Sequence, residues 1–155
     1  MRAIFLALLI VTAPGAAFAY CNPDADYSVK AEFARSDIVA VVKVTGARWY
    51  DEHRNPVAAP AQAPLGLDPY AGVDYRVDVV RAFKGSPPRT LAIFSENTSA
   101  RTPLEVGERY IVFLEHQTLA DENRRPGDLM IDVCGNSAVL RHAGAVTSVL
   151  KTLAR

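Results

Sequence analysis

Three histidines, two cysteines and a serine close to one of the histidines are the residues of this chain most able to do chemistry. His53, His116 and His142 fall at no His-x-x-x-His spacing, and Cys21 and Cys134 form no Cys-x-x-Cys pair. Two distant cysteines supply too few ligands for zinc, so no metal-ligating residue is assigned. Ser137 lies just ahead of His142, and with an aspartate these two make the sharpest hydrolase that can be assembled here. A triad is recognised by geometry, and no Gly-x-Ser-x-Gly elbow, phosphate loop or dinucleotide fingerprint accompanies them. Asp51-Glu52-His53 reads as an ordinary charged loop. The expectation is a chain that is not an enzyme, with no catalytic residue and no cofactor.

The cysteines have a different chemistry available. Arg2 precedes an apolar run from Ala3 to Val11, followed by Pro14, Gly15 and Ala17-Phe18-Ala19. A membrane span needs about 20 apolar residues, so this run reads as the core of a cleavable signal, residues 1–19, with cleavage after Ala19. Bulky Tyr20 before Cys21 departs from a lipidation signal. Export to a secreted or periplasmic location is oxidising, where a Cys21–Cys134 disulfide is expected. Two free thiols or an intermolecular bridge are the alternatives. The closed loop would exceed a hundred residues, for which chain entropy assigns about 4–5 kcal/mol.

The mature part, residues 20–155, has the length of one domain. Lys and Arg number 17, as do Asp and Glu, and their mixing leaves neither a basic stripe for nucleic acid nor a polybasic patch for lipid. No second long apolar stretch follows, so no membrane insertion is expected after signal cleavage.

Several elements must position these residues. Val29 and Phe33 fall four apart behind Ser28, a natural N-cap, and predict a short helix over 27–36. The β-branched run Ile38 to Val44 predicts a strand, the best-buried of the chain. From Gly46 to Gly72 the composition turns to Pro, Ala, Gly and charge, predicting a long loop over 46–72. Trp49 and Tyr50 open it, either packed back on the core or exposed for contact. Val73, Tyr75, Val77 and Val79 alternate with polar residues, and the period slips at Val80-Arg81-Ala82, as a bulge or a strong bend would make it do. Lys84-Gly85 begins a turn. Shorter strands follow at 90–95, 109–115 and 129–133, and Val146, Leu150 and Leu153 space a C-terminal helix. Asn97-Thr98-Ser99 fits the N-glycosylation pattern. Five strands without βαβ alternation predict an all-β domain with one N-terminal and one C-terminal helix, most economically a five-stranded Greek-key barrel of the OB type.

Five strings carry a resemblance in order: an exported cysteine, Ala34-Arg35-Ser36-Asp37-Ile38-Val39, Tyr75 to Val79 running into Phe83-Lys84-Gly85, Val106-Gly107-Glu108-Arg109-Tyr110, and Cys134-Gly135-Asn136-Ser137. Together they resemble the netrin-module or tissue-inhibitor-of-metalloproteinases-like superfamily, in the reduced form of bacterial exported proteins. The resemblance covers most of the mature chain. It implies an OB barrel, both terminal helices on one side, and an N-terminal segment tied down by a disulfide. In the inhibitor branch the mature chain starts Cys-x-Cys, and the first cysteine's amine and carbonyl chelate the zinc of a metalloproteinase. This chain has one cysteine there, preceded by Tyr20, and lacks that branch's further disulfides and C-terminal domain.

The functional expectation is an exported binding module, protease-inhibitor-like, whose partner is an exported protein and in the inhibitor reading a metalloproteinase. Tyr20, Cys21, Trp49 and Tyr50 are the candidate contact residues. A small extracytoplasmic hydrolase and an oligosaccharide- or small-ligand-binding OB domain are the alternatives.

Overall fold

A computed structural model describes residues 21–59, 70–98, 101–118, 120 and 123–154. The expected signal at 1–19, Tyr20 and most of the Pro-rich stretch, residues 60–69, lie outside the described residues. Among the described residues no helix is long and apolar enough to cross a membrane.

Helix α1 (Val29–Arg35) starts where the sequence places its cap: the Ser28 hydroxyl accepts the Ala31 N–H at 3.2 Å. Its other end is closed from outside. Lys84 Nζ donates to the carbonyls of Phe33 and Ala34 at 2.7 and 2.8 Å, putting a cation on the negative end of the helix. The next residue, Gly85, has φ 78°, and a Cβ there would lie 2.7 Å from the Asp37 carbonyl. The Lys84-Gly85 pair thus serves two steric and electrostatic needs of the α1–β1 corner.

The strands are β1 (Ile38–Tyr50), β2 (Pro56–Val57), β3 (Gly72–Lys84), β4 (Thr90–Glu96), β5 (Arg109–His116), β6 (Leu129–Ile131) and β7 (Ala138–Val139). They form one antiparallel sheet in the order β4-β3-β1-β5-β6, with β2 attached to β1 and β7 to β5. Five strands carry the main path, and the two-residue β2 and β7 bring the described total to seven. Helix α2 (Gly144–Leu153) follows a single 3-10 turn, Leu140–His142. The chain is therefore mostly β-sheet with a helix before the first strand and another at its C-terminal end.

β1 explains its own sequence. Ile38, Ala40, Val42 and Val44 point into a core with Val77, Ile93, Val112 and Leu114. Val39 and Val41 point the other way, onto Phe83, Ile111 and Phe113 beneath both helices, which cover this face with Phe33, Val146, Leu150 and Leu153. Two apolar faces demand an uninterrupted apolar run. Opposite it, β3 carries extra residues at Val80 and Phe83, where the pairing steps from Val79 to Arg81 and from Ala82 to Lys84. The slip in the β3 alternation is this pair of bulges.

The loop expected at 46–72 is corrected at three places. Gly46 to Tyr50 continue β1 in register with Arg76 to Gly72, Pro56–Val57 form β2, and Gly72 begins β3. The small residues Gly46 and Ala47 carry no β signal of their own. The hydrogen-bond ladder offered by β3 supplies what local propensity lacks.

Candidate functional site

The N-terminal segment and the Cys134–Ser137 turn meet at the disulfide between Cys21 and Cys134, whose Cα atoms are 5.8 Å apart. Beyond that bond, the segment from Cys21 to Ser28 is held by side chains that reach it from elsewhere. Asn136 Nδ2 donates to the Tyr27 carbonyl at 2.8 Å, and Arg35 Nη1 to the Asp26 carbonyl at 3.3 Å. Within the segment, Asp26 Oδ1 accepts the Ser28 N–H at 2.8 Å, and this bond draws the Asp26 pKa below its ordinary value.

Behind the segment lies a carboxylate with no exposed surface. Glu32 Oε2 accepts the Asn136 N–H at 2.5 Å and its Nδ2–H at 2.7 Å, while Oε1 is buried without a hydrogen bond. Gly135 makes this approach sterically feasible, since a Cβ on it would stand 2.0 Å from Oε1. Burial raises the Glu32 pKa, against the opposing pull of its bonds to Asn136. Arg35, on the same helix, joins Asp132 at 3.1 Å and Glu115 at 3.2 Å, so α1 is tied to both β5 and the stretch leading to Cys134. Ser137 completes the turn by accepting the Phe113 N–H of β5 at 2.9 Å.

These contacts decide how the sequence candidates are disposed. The Ser137 hydroxyl is occupied with backbone, and the hydrogen bond of the His142 ring is to Arg141. The His116 N–H, donated to Asp37 at 2.8 Å, and then its Nδ1, 3.0 Å from the same carboxylate, lower the Asp37 pKa. Asp51 folds its own loop by accepting the N–H groups of His53 and Asn55. Asn97 Nδ2, the atom glycosylation would modify, donates to the Tyr70 carbonyl at 2.8 Å. No group of three or more His, Cys, Asp or Glu side chains gathers as a metal site among the described residues.

Of the candidate contact residues, Cys21 is exposed, and Tyr20 falls outside the described residues. Trp49 is half-buried and packs against the core that holds Ile38, Ala40, Val42 and Val44. Tyr50, one residue on, faces the opposite way and lines a groove on the outside of β1, β3 and β4. The Cys21 segment borders the start of α1, whereas Trp49 and Tyr50 lie at the far end of β1, so Cys21 does not share a pocket with these two.

Sequence reasoning missed Glu32, Arg35 and Asn136. A trace of Glu32 was present: counting 3 and 7 on from Val29 places Glu32 and Ser36 on the same stripe as Phe33, and both are fully buried. It also missed Arg54. This residue has φ 63°, lies 3.9 Å over the Phe94 ring, and gives Asp128 two contacts of 3.0 Å with a side chain only 8% exposed. No protein-family model matches the chain, and no curated protein matches it.

Proposed function

We propose that this chain is an exported, non-enzymatic protein-binding module of the netrin or metalloproteinase-inhibitor type, acting through its disulfide-pinned N-terminal segment. The observation that carries the reading is the anchoring of that segment at Cys21 and Tyr27 by Cys134 and Asn136, far along the chain, and at Asp26 by Arg35 of the neighbouring helix. A backbone amine and carbonyl make a useful ligand for an open zinc position only when the segment is already rigid, because ordering it on binding would cost affinity. The disulfide also suits an oxidising compartment, in keeping with a signal cleaved after Ala19.

The finer fold in this proposal is a closed OB-type barrel. Strand order and the shared helical face support it, as does the approach of the two ends of the path: Ile93 to Glu96 of β4 and the stretch from Met130 to Val133 line one cleft of about 210 Å3. An Arg124–Glu96 ion pair of 3.3 Å crosses the same gap.

The test is N-terminal sequencing of the exported protein, followed by inhibition assays against a panel of metalloproteinases. The mature protein and a form carrying one extra N-terminal alanine are compared. Inhibition lost on extension supports direct chelation. Equal inhibition by both excludes it, and absence of inhibition throughout removes the metalloproteinase as partner.

A further inference from the structure

The outer face of β1, β3 and β4 holds a groove of about 450 Å3, within the size range of small-molecule sites. Cross-strand pairing sets its layout. Gly46, Arg76 and Ala92 stand side by side on the three strands, so Arg76 rises between two positions that have almost no side chain. In the next row Arg48 stands opposite Asp74. Arg48 and Arg76 are diagonal neighbours on the pleat, a separation of about 7–8 Å that one ligand group can bridge.

The groove is built rather than incidental. Thr45 is an extra residue on β1, and its hydroxyl donates to the Arg76 carbonyl at 3.1 Å while Arg76 Nε donates to the Thr45 hydroxyl oxygen at 3.5 Å. Burial raises the Tyr50 pKa, with Asp74 adding to the rise and Arg48 opposing it. Behind this wall the Arg54 guanidinium packs 5.2 Å from the Tyr50 ring, with Nη1 3.9 Å from Asp74 Oδ1. Nη1 is buried without a hydrogen bond of its own. Arg54 is already paired with Asp128 by two contacts of 3.0 Å, so Asp74 keeps its negative charge, and the two exposed arginines, Arg48 and Arg76, outnumber it and leave the groove net positive on a chain of zero net charge.

We propose that this groove binds a carboxylate-bearing sugar, its carboxylate on Arg48 and Arg76 and its ring hydroxyls donating to Asp74. Paired guanidiniums match a planar carboxylate. Asp74 selects against a simple anion, which it repels, and favours a ligand that also brings hydroxyl donors. The flat positions at Gly46 and Ala92 leave room for a ring. The groove shares no lining residue with the Cys21 segment, so this inference is independent of the protein-binding proposal.

Isothermal titration of the intact protein with digalacturonic acid, maltose and inorganic phosphate tests it. Saturable binding is expected for digalacturonic acid, at least about tenfold tighter than for maltose or phosphate, and weakened about tenfold or more by Arg76→Met and by Asp74→Asn. Both substitutions fall on the outer face, and unchanged urea midpoints would show that the fold is retained. The proposal is overturned by no saturable binding of the acidic disaccharide, by phosphate binding as tightly, or by wild-type affinity in folded Arg76→Met.

Discussion

Glu32, with no exposed surface, takes both N–H donors of Asn136 on one carboxylate oxygen, at 2.5 and 2.7 Å. This joins the first helix to a turn 104 residues later, beside the disulfide. Four expectations follow from this junction and its surroundings.

Gly135→Ala should lower stability by about 1–3 kcal/mol. The added methyl must displace a carboxylate that has no free space and would lose its Asn136 bonds in moving. Urea unfolding of the variant at neutral pH measures the loss, and an unchanged midpoint would show that the carboxylate can relocate freely.

The pH dependence of stability should carry a Glu32 signature. Its folded pKa lies above the ordinary glutamate value of 4.5, so in the window between the two the native state holds more proton than the unfolded chain. Stability from this group is therefore full below about 4.5 and lost as pH rises through the raised value. Asp26, Asp37 and Asp51 act in the opposite sense, since their lowered pKa values make stability fall with acid. Glu32→Gln isolates the first effect: the difference between variant and wild type should grow in the variant's favour as pH rises from 4.5, then level off. Parallel stability curves would contradict it.

Breaking the disulfide should cost about 4–5 kcal/mol, given the 113-residue separation of Cys21 and Cys134. Cys134→Ser, Cys21→Ser and reduction of the wild type should give the same loss, because each releases the same loop. A double variant much less stable than either single one would point to a further role for one of the thiols.

Lys84→Met should destabilise the fold by about 1.5–3 kcal/mol, as two carbonyls at the end of α1 lose a charged donor. Amide exchange in α1 should accelerate more than in β1, whose two apolar faces do not depend on Lys84. Uniform acceleration across both would mean that the helix and the sheet open together.

Where the signal is local, the sequence alone determined the outcome. Ser28 capping α1, the uniform apolar run of β1, the broken alternation near Val80 and the spaced apolar residues of α2 all report on neighbours a few positions away. With only two cysteines in the sequence, the Cys21–Cys134 disulfide was the one intramolecular pairing available. The tertiary structure alone decided the rest, because those features depend on partners far along the chain. Gly46 to Tyr50 are strand only since Gly72 to Arg76 lie alongside. Glu32 is buried only because Gly135 admits its carboxylate and Asn136 bonds it. Arg48, Asp74 and Arg76 are ordinary charges in the sequence, and they share a groove through the register of β1 against β3, which a one-residue slip would turn to the other face.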